Sequence, residues 1–270
     1  MKISIKIGHK APLLLYATVC SLTVNAQKLP NKQETALFAP TNVKIDGKTT
    51  EWGNTFQAYN KATEVFYTIA NDNDNLYLII QATEPIIARK IIAGGITFAI
   101  NTPEKSKKGE QITISYPVFD SKNAPNINLR INTDDLSQLD YDLFIYDLNT
   151  EFAKKSKEIK LSGIKAIDDT LISIYNEYKI KPMAAFDDKK QYTYELALPL
   201  KYLKPAIGPQ SSFSYTITLN GSTRVEGARI EYIEGGIRIT SPGTSAPSMN
   251  DMKFISSPTY FTGEYTLAKK

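Results

Sequence analysis

Beyond its first 26 residues the chain contains no cysteine and no histidine, since Cys20 and His9 are the sole examples of each. That excludes a cysteine nucleophile, a Ser-His-Asp triad, His-ligated zinc or iron, thiolate clusters and structural disulfides from the remainder. Tryptophan is almost lacking as well, Trp52 being the only one. No apolar run of membrane-spanning length follows the N-terminal region, so no transmembrane helix is expected. A dominant charge is also missing: 32 Lys and Arg face 28 Asp and Glu, a formal net charge of +4. The longest basic run, Lys105-Ser106-Lys107-Lys108, is too short to suggest a nucleic-acid partner. No Gly-rich loop follows a strand and opens a helix, which leaves nucleotide binding without support.

The N-terminal residues read as a cleavable signal peptide, with Lys2, Lys6 and Lys10 before an apolar centre at 11–22. Val24-Asn25-Ala26 supplies the small-residue cleavage site. Cleavage near Ala26 predicts a secreted or periplasmic protein whose 29 basic and 28 acidic residues nearly cancel. Cys20 follows Ala17-Thr18-Val19, and valine stands where a lipoprotein signal wants a small residue. Residues 27–270 are expected to form a single domain with its core at about 40–268, within the length range of all-β sandwiches.

Period-two alternation dominates that domain. Val65, Tyr67 and Ile69 share one face, as do Leu76, Leu78, Ile80 and Ala82. The same pattern recurs at 96–100, 112–116, 192–198 and 213–219, and more weakly at 43–45, 157–161, 171–175, 179–184, 228–233, 236–240 and 261–267. About a dozen short strands separated by turn residues predict an all-β, antiparallel sandwich of carbohydrate-binding-module or jelly-roll type. Two helices interrupt it. One runs from Pro85 to a stop at Gly94-Gly95. The other is expected over 134–156 behind Thr133, with Leu136, Leu139, Leu143 and Phe152 facing the sandwich. Gly and Ser at 241–250 suggest a long connection.

The chemistry-bearing candidates are few. Asp72 and Asp74, in Asn71-Asp72-Asn73-Asp74-Asn75, are the candidate metal ligands, and a structural calcium ion is the one cofactor the chain suggests. An EF-hand counted from Asp72 needs Gly at 77 and Glu at 83, where Tyr77 and Thr83 stand, so the competing reading is a hairpin turn. Trp52 offers a sugar platform or, alternatively, a buried anchor at the entry to the first sheet. Tyr116, Tyr192 and Tyr260 are the tyrosines taken as candidate ligand contacts, against the ordinary packing role of aromatics on a sheet. No catalytic residue is assigned. A carboxylate pair such as Asp187 and Glu195 has no supporting spacing: 187–188 reads as a turn, and Glu195 as the polar face of a strand. Ser162-Gly163-Ile164-Lys165 matches Ser-x-x-Lys without the partner motifs that give it meaning.

Read together, several segments resemble a known family. They are Ile45-Asp46-Gly47 with Glu51-Trp52, Asn75-Leu76-Tyr77-Leu78, and Tyr194-Glu195-Leu196-Ala197-Leu198-Pro199-Leu200. With Gly94-Gly95-Ile96-Thr97-Phe98, Ser115-Tyr116-Pro117, Ser248-Met249 and the run from Phe261 to Leu267, the chain resembles the family 9 carbohydrate-binding-module-like sandwiches, in particular secreted bacterial members of that group. The resemblance implies a non-catalytic sandwich that holds poly- or oligosaccharide with an aromatic clamp and in some members carries structural calcium. Trp52 corresponds to the family's structural tryptophan, whereas Ala70-Asn71 stands where sugar-binding members carry the clamp. The leading expectation is an exported module recognising a glycan or cell-surface polymer. The alternatives are an envelope structural or protein-interaction sandwich that has lost sugar binding and, behind it, a carboxylate-only glycoside hydrolase.

Overall fold

The computed structural model describes residues 28–101, 111–119, 124–125, 127–207, 211–222, 229–233, 236–240 and 248–270. The signal-peptide reading and the basic run at 105–108 lie outside them.

Alternating apolar residues need a second surface on which to bury one face, and here two antiparallel sheets provide it for each other. The first holds β1 (Ala58–Asn60), β2 (Val65–Asn71), β3 (Asn75–Ala82), β9 (Tyr192–Pro199) and β8 (Lys181–Phe186), in that order. The second runs β13 (Thr259–Thr266), β10 (Ser212–Leu219), β4 (Ile96–Asn101), β5 (Gln111–Tyr116), β6 (Glu158–Ser162) and β7 (Leu171–Ser173). A separate hairpin joins β11 (Arg229–Ile233) to β12 (Gly236–Thr240). The sheets meet through large side chains. Tyr67 and Tyr215 share a hydroxyl hydrogen bond of 3.1 Å, Tyr67 packs on Phe261 at 4.8 Å, and Tyr116 lies 6.1 Å from Tyr194 between ring centres. The result is a β-sandwich with one continuous apolar core from both inner faces.

Every residue of β9 is buried, because this strand is covered on both faces. Its inner face, Tyr192, Tyr194, Leu196 and Leu198, joins the core. Its outer face is roofed by the segment at 37–57, where Ala39, Trp52, Leu37, Val43, Ile45 and Phe56 gather against Ala70, Tyr77, Ile79 and Ala197. The weak strand expectation at 43–45 is thereby corrected: Val43 and Ile45 use their apolar side chains as a lid on the sheet, without pairing into it.

Among the described residues four α-helices flank the sheets. α1 (Pro85–Gly94) starts on a proline and ends at Gly95, as expected. It buries Ile87, Ala88, Ile91 and Ile92 and packs against α4 (Met249–Ser256). There the Lys90 ammonium lies 4.5 Å over the Phe254 ring and donates to Thr259 Oγ1 at 3.1 Å. α4, which no sequence expectation covered, starts at the end of the 241–250 connection, of which residues 241–247 lie outside the described residues. Ser248 caps it by accepting from the Asp251 amide. α3 (Lys204–Ile207) is a single turn.

α2 (Gln138–Lys155) begins four residues later than the expected start, with Ser137 and not Thr133 as its cap. Its inward face is also corrected. Of the four residues expected there only Phe152 is buried; Leu148 joins it, and Leu136, Leu139 and Leu143 are exposed. Two contacts fix this register. Phe152 inserts edge-on against Phe186 and Tyr192, and Asn149 pairs both ends of its carboxamide with the backbone of Phe186 on the edge strand β8.

Candidate functional site

The outer face of the first sheet carries a row of facing pairs along β3 and β9: Tyr77 with Ala197, Ile79 with Glu195, and Gln81 with Thr193. The 37–57 segment seals the first two pairs and leaves the third open.

At the sealed end Glu195 is fully buried, so it does not occupy the wet strand face expected of it. The 46–52 segment lies over it and supplies its partners. One carboxylate oxygen accepts from the backbone N–H groups of Asp46 (2.9 Å) and Gly47 (2.8 Å), and the other from the indole N–H of Trp52 (2.9 Å). Burial pushes the Glu195 carboxyl above its ordinary value, and these three donors pull back part of that rise. Gly47 is needed for the arrangement. Its φ is +80°, and a Cβ there would sit 2.7 Å from both the Cβ and the amide nitrogen of Ala185. Trp52 itself is buried and meets the Tyr77 ring edge-on at 5.8 Å, which is the anchor role and removes its indole from any ligand outside.

At the open end lies a cleft of about 880 Å³. Gln81 and Thr193 form part of its floor, joined by a hydrogen bond of 3.1 Å from the Gln81 carboxamide to Thr193 Oγ1. One wall is the 47–56 segment, with Lys48, Asn54 and a half-buried Phe56; the other is the β8–β9 turn from Asp187 to Gln191. That turn is closed by local hydrogen bonds. Asp187 Oδ1 accepts from the amides of Lys189 and Gln191, and α2 braces the turn from outside through Tyr141, whose hydroxyl donates to the Asp188 carbonyl. The cleft thus combines amides, hydroxyls, charges of both signs and the aromatic residues Phe56 and Phe186, a lining suited to a polyhydroxylated ligand.

The expected site residues do not converge on this cleft. Tyr116 and Tyr192 point into the sandwich core and are buried, because their strands place those positions on the inner face. Burial pushes the Tyr116 phenol up to about 12. Tyr260 is 63% exposed on β13, in the other sheet. Asp72 and Asp74 form the β2–β3 turn. The oxygens of Asp72 accept from the amides of Asp74 and Asn75 and from the Tyr77 hydroxyl, a set that closes a hairpin. Among the described residues no group of three or more His, Cys, Asp or Glu could hold a metal ion. Asp187 and Glu195 do not face each other across water either, since Glu195 is sealed beneath 46–52. Lys165, of the Ser-x-x-Lys match, lines a separate, smaller hollow of about 320 Å³ with Asp168 and Asp169.

Comparison with known proteins found no family model and no curated protein that matches the chain.

Proposed function

We propose that the protein is an exported, non-catalytic module that binds an oligo- or polysaccharide in the cleft beside Gln81 and Thr193. The carrying observation is the lining of that cleft: Lys48, Asn54, Gln81, Gln191 and the Asp187 turn together with Phe56. Sugar hydroxyls both donate and accept, so they pair well with carboxamides and carboxylates, while their C–H faces pack on an aromatic ring. The resemblance to family 9 carbohydrate-binding modules supports the same class of ligand, and function is a property of the site more than of the fold. The family's clamp position offers no such site here. Asn71 is buried and pairs both carboxamide ends with the backbone of Ala268, so the C-terminal segment occupies that side of β2. A calcium ion is not part of the proposal, because the Asp72 oxygens already serve the turn.

The test is retardation of the purified protein in native gels cast with soluble polysaccharides, backed by a glycan array. Wild type is expected to be retarded by at least one neutral or weakly charged polymer. Gln81→Ala and Phe56→Ala are expected to weaken that retention about tenfold or more, the loss of one or two buried contacts. Gln81→Ala serves as the variant that keeps the fold, since Phe56 also packs on Phe66 at 5.7 Å. A folded wild type that no polymer retards, or one whose retention neither variant alters, refutes the cleft as a sugar site.

A further inference from the structure

α2 is apolar on two opposite sides. At roughly 100° per residue, Leu148 and Phe152 point to one side, and Leu139, Leu143 and Tyr146 cluster within about 60° on the other. The first pair is buried, while Leu139, Leu143 and Tyr146 are 70%, 52% and 67% exposed. A single exposed leucine needs no explanation, but an aligned row of three does. Leu136, also exposed, lies just before the helix.

The spacing of this row is that of a coiled-coil seam. Within the helix Leu139, Leu143 and Tyr146 are separated by four and three residues, a d, a, d run of such a seam. The flanking e and g positions on the helix are then Asp140, Asp142 and Asp147, acidic and exposed, and Asn149, which is turned inward to Phe186. Asp135 adds an exposed carboxylate just before the helix. Between Arg130 and Lys154 the chain has six carboxylates and no cation, within a protein whose net charge is +4. Asp140 and Asp142 accept from the neutral side chains of Ser137 and Gln138. One cation does approach the segment from elsewhere, Lys190, which donates to Thr133 Oγ1 at 3.0 Å.

We propose that the outward face of α2 docks a partner helix carrying apolar a and d residues flanked by Lys or Arg at e and g. Charge decides between occupants. A second copy of this chain would set three aspartates against three aspartates along the seam, and an anionic lipid surface would meet the same repulsion. A basic helix buries the leucine row and pairs each aspartate across the seam. The proposal is independent of the sugar cleft, because none of these ridge side chains lines it.

The experiment uses the purified protein and three synthetic 21-residue peptides followed by fluorescence anisotropy. One has Leu at a and d with Lys at e and g, the second carries Glu in place of those Lys, and the third is a scramble of the first. The Lys peptide is expected to bind at least tenfold more tightly than either control and to weaken as salt is raised. Leu139→Ser with Leu143→Ser should weaken it tenfold or more without loss of the fold, since both side chains are exposed. Asp142→Lys with Asp147→Lys should reverse the preference towards the Glu peptide. Equal binding of the Lys peptide and its scramble, or no effect of the leucine pair, overturns the proposal. So does self-association of wild type, or binding to anionic vesicles, that the leucine pair abolishes, because either assigns the ridge to a different occupant.

Discussion

One face of one sheet is dry at one end and wet at the other, although β3 and β9 supply both ends. Ile79 with Glu195 lies under Trp52 and the 46–47 turn, and Gln81 with Thr193, one pair further along, floors an open cleft. The counterintuitive part is that the ionisable residue is in the dry end. Its three N–H donors explain this: a buried carboxylate is tolerable when its oxygens are saturated, and the 46–52 segment is shaped to saturate them. The same polarity has opposite consequences two residues apart, holding the lid down in one place and leaving the surface open to a ligand in the other.

The largest effect is expected where that saturation is broken. Glu195→Gln turns an N–H₂ group towards donors that need an acceptor, and should destabilise the fold by roughly 3 kcal/mol in urea unfolding followed by circular dichroism. The pH dependence has a definite sign. Glu195 is raised in the folded state above an ordinary value of 4.5, so the folded protein retains a proton that the unfolded chain releases. Its contribution is complete below 4.5 and is lost as pH rises through the folded value. The gap between wild type and Glu195→Gln is therefore wider at pH 4 than at pH 8, and a gap that widens with pH would reverse this account.

Gly47→Ala attacks the same end through the backbone. The φ of +80° and the contact of the new Cβ with Ala185 at 2.7 Å force the turn away from β8, and its amide away from Glu195. A loss of about 2 kcal/mol is expected from strain together with the weakened hydrogen bond. The fluorescence of Trp52, the only tryptophan, should shift to longer wavelength as the lid loosens. An unshifted spectrum would show that Trp52 is held without the turn.

A smaller effect concerns the β2–β3 turn that backs the sealed end through Tyr77. Partial burial alone pushes the Asp72 carboxyl up, but the Tyr77 hydroxyl and the amides of Asp74 and Asn75 together hold it below its ordinary 3.8. A depressed carboxyl stabilises the fold above 3.8, and that contribution disappears as pH falls through its folded value. Wild type should melt higher than Asp72→Asn at pH 6, with the two converging as pH falls well below 3.8. Parallel melting curves across that range would remove Asp72 from the account of acid stability.

The strands were readable in the sequence because each of the six strong alternating runs matches a strand of the structure, down to the turn at 71–75 between β2 and β3. β1, three residues long, carries too little alternation to be seen. Glu195 was misread because alternation reports only that a residue faces away from the core; it does not report a second layer that roofs the outer face. The cleft was unreadable for the same reason. Its residues come from 47–56, β3, β8, β9 and α2, and no local spacing joins them. In α2 the apolar period was real but ambiguous, since the helix has two apolar faces, and Asn149 and Phe152 decide which one turns inward.

The smallest change sharpens the comparison most. Thr193→Val is nearly isosteric and removes the hydroxyl that accepts from the Gln81 carboxamide. Thr193 is itself buried, yet its partner Gln81 lines the open cleft and can turn to water, so the stability change should stay within about 0.5 kcal/mol. Binding should respond where stability does not: the freed Gln81 carboxamide becomes mobile, and affinity for a retained polysaccharide should drop several-fold. If Thr193→Val destabilised the fold as much as Glu195→Gln, the two ends of β9 would share one sealed environment, and the division of the face into lid and cleft would fail.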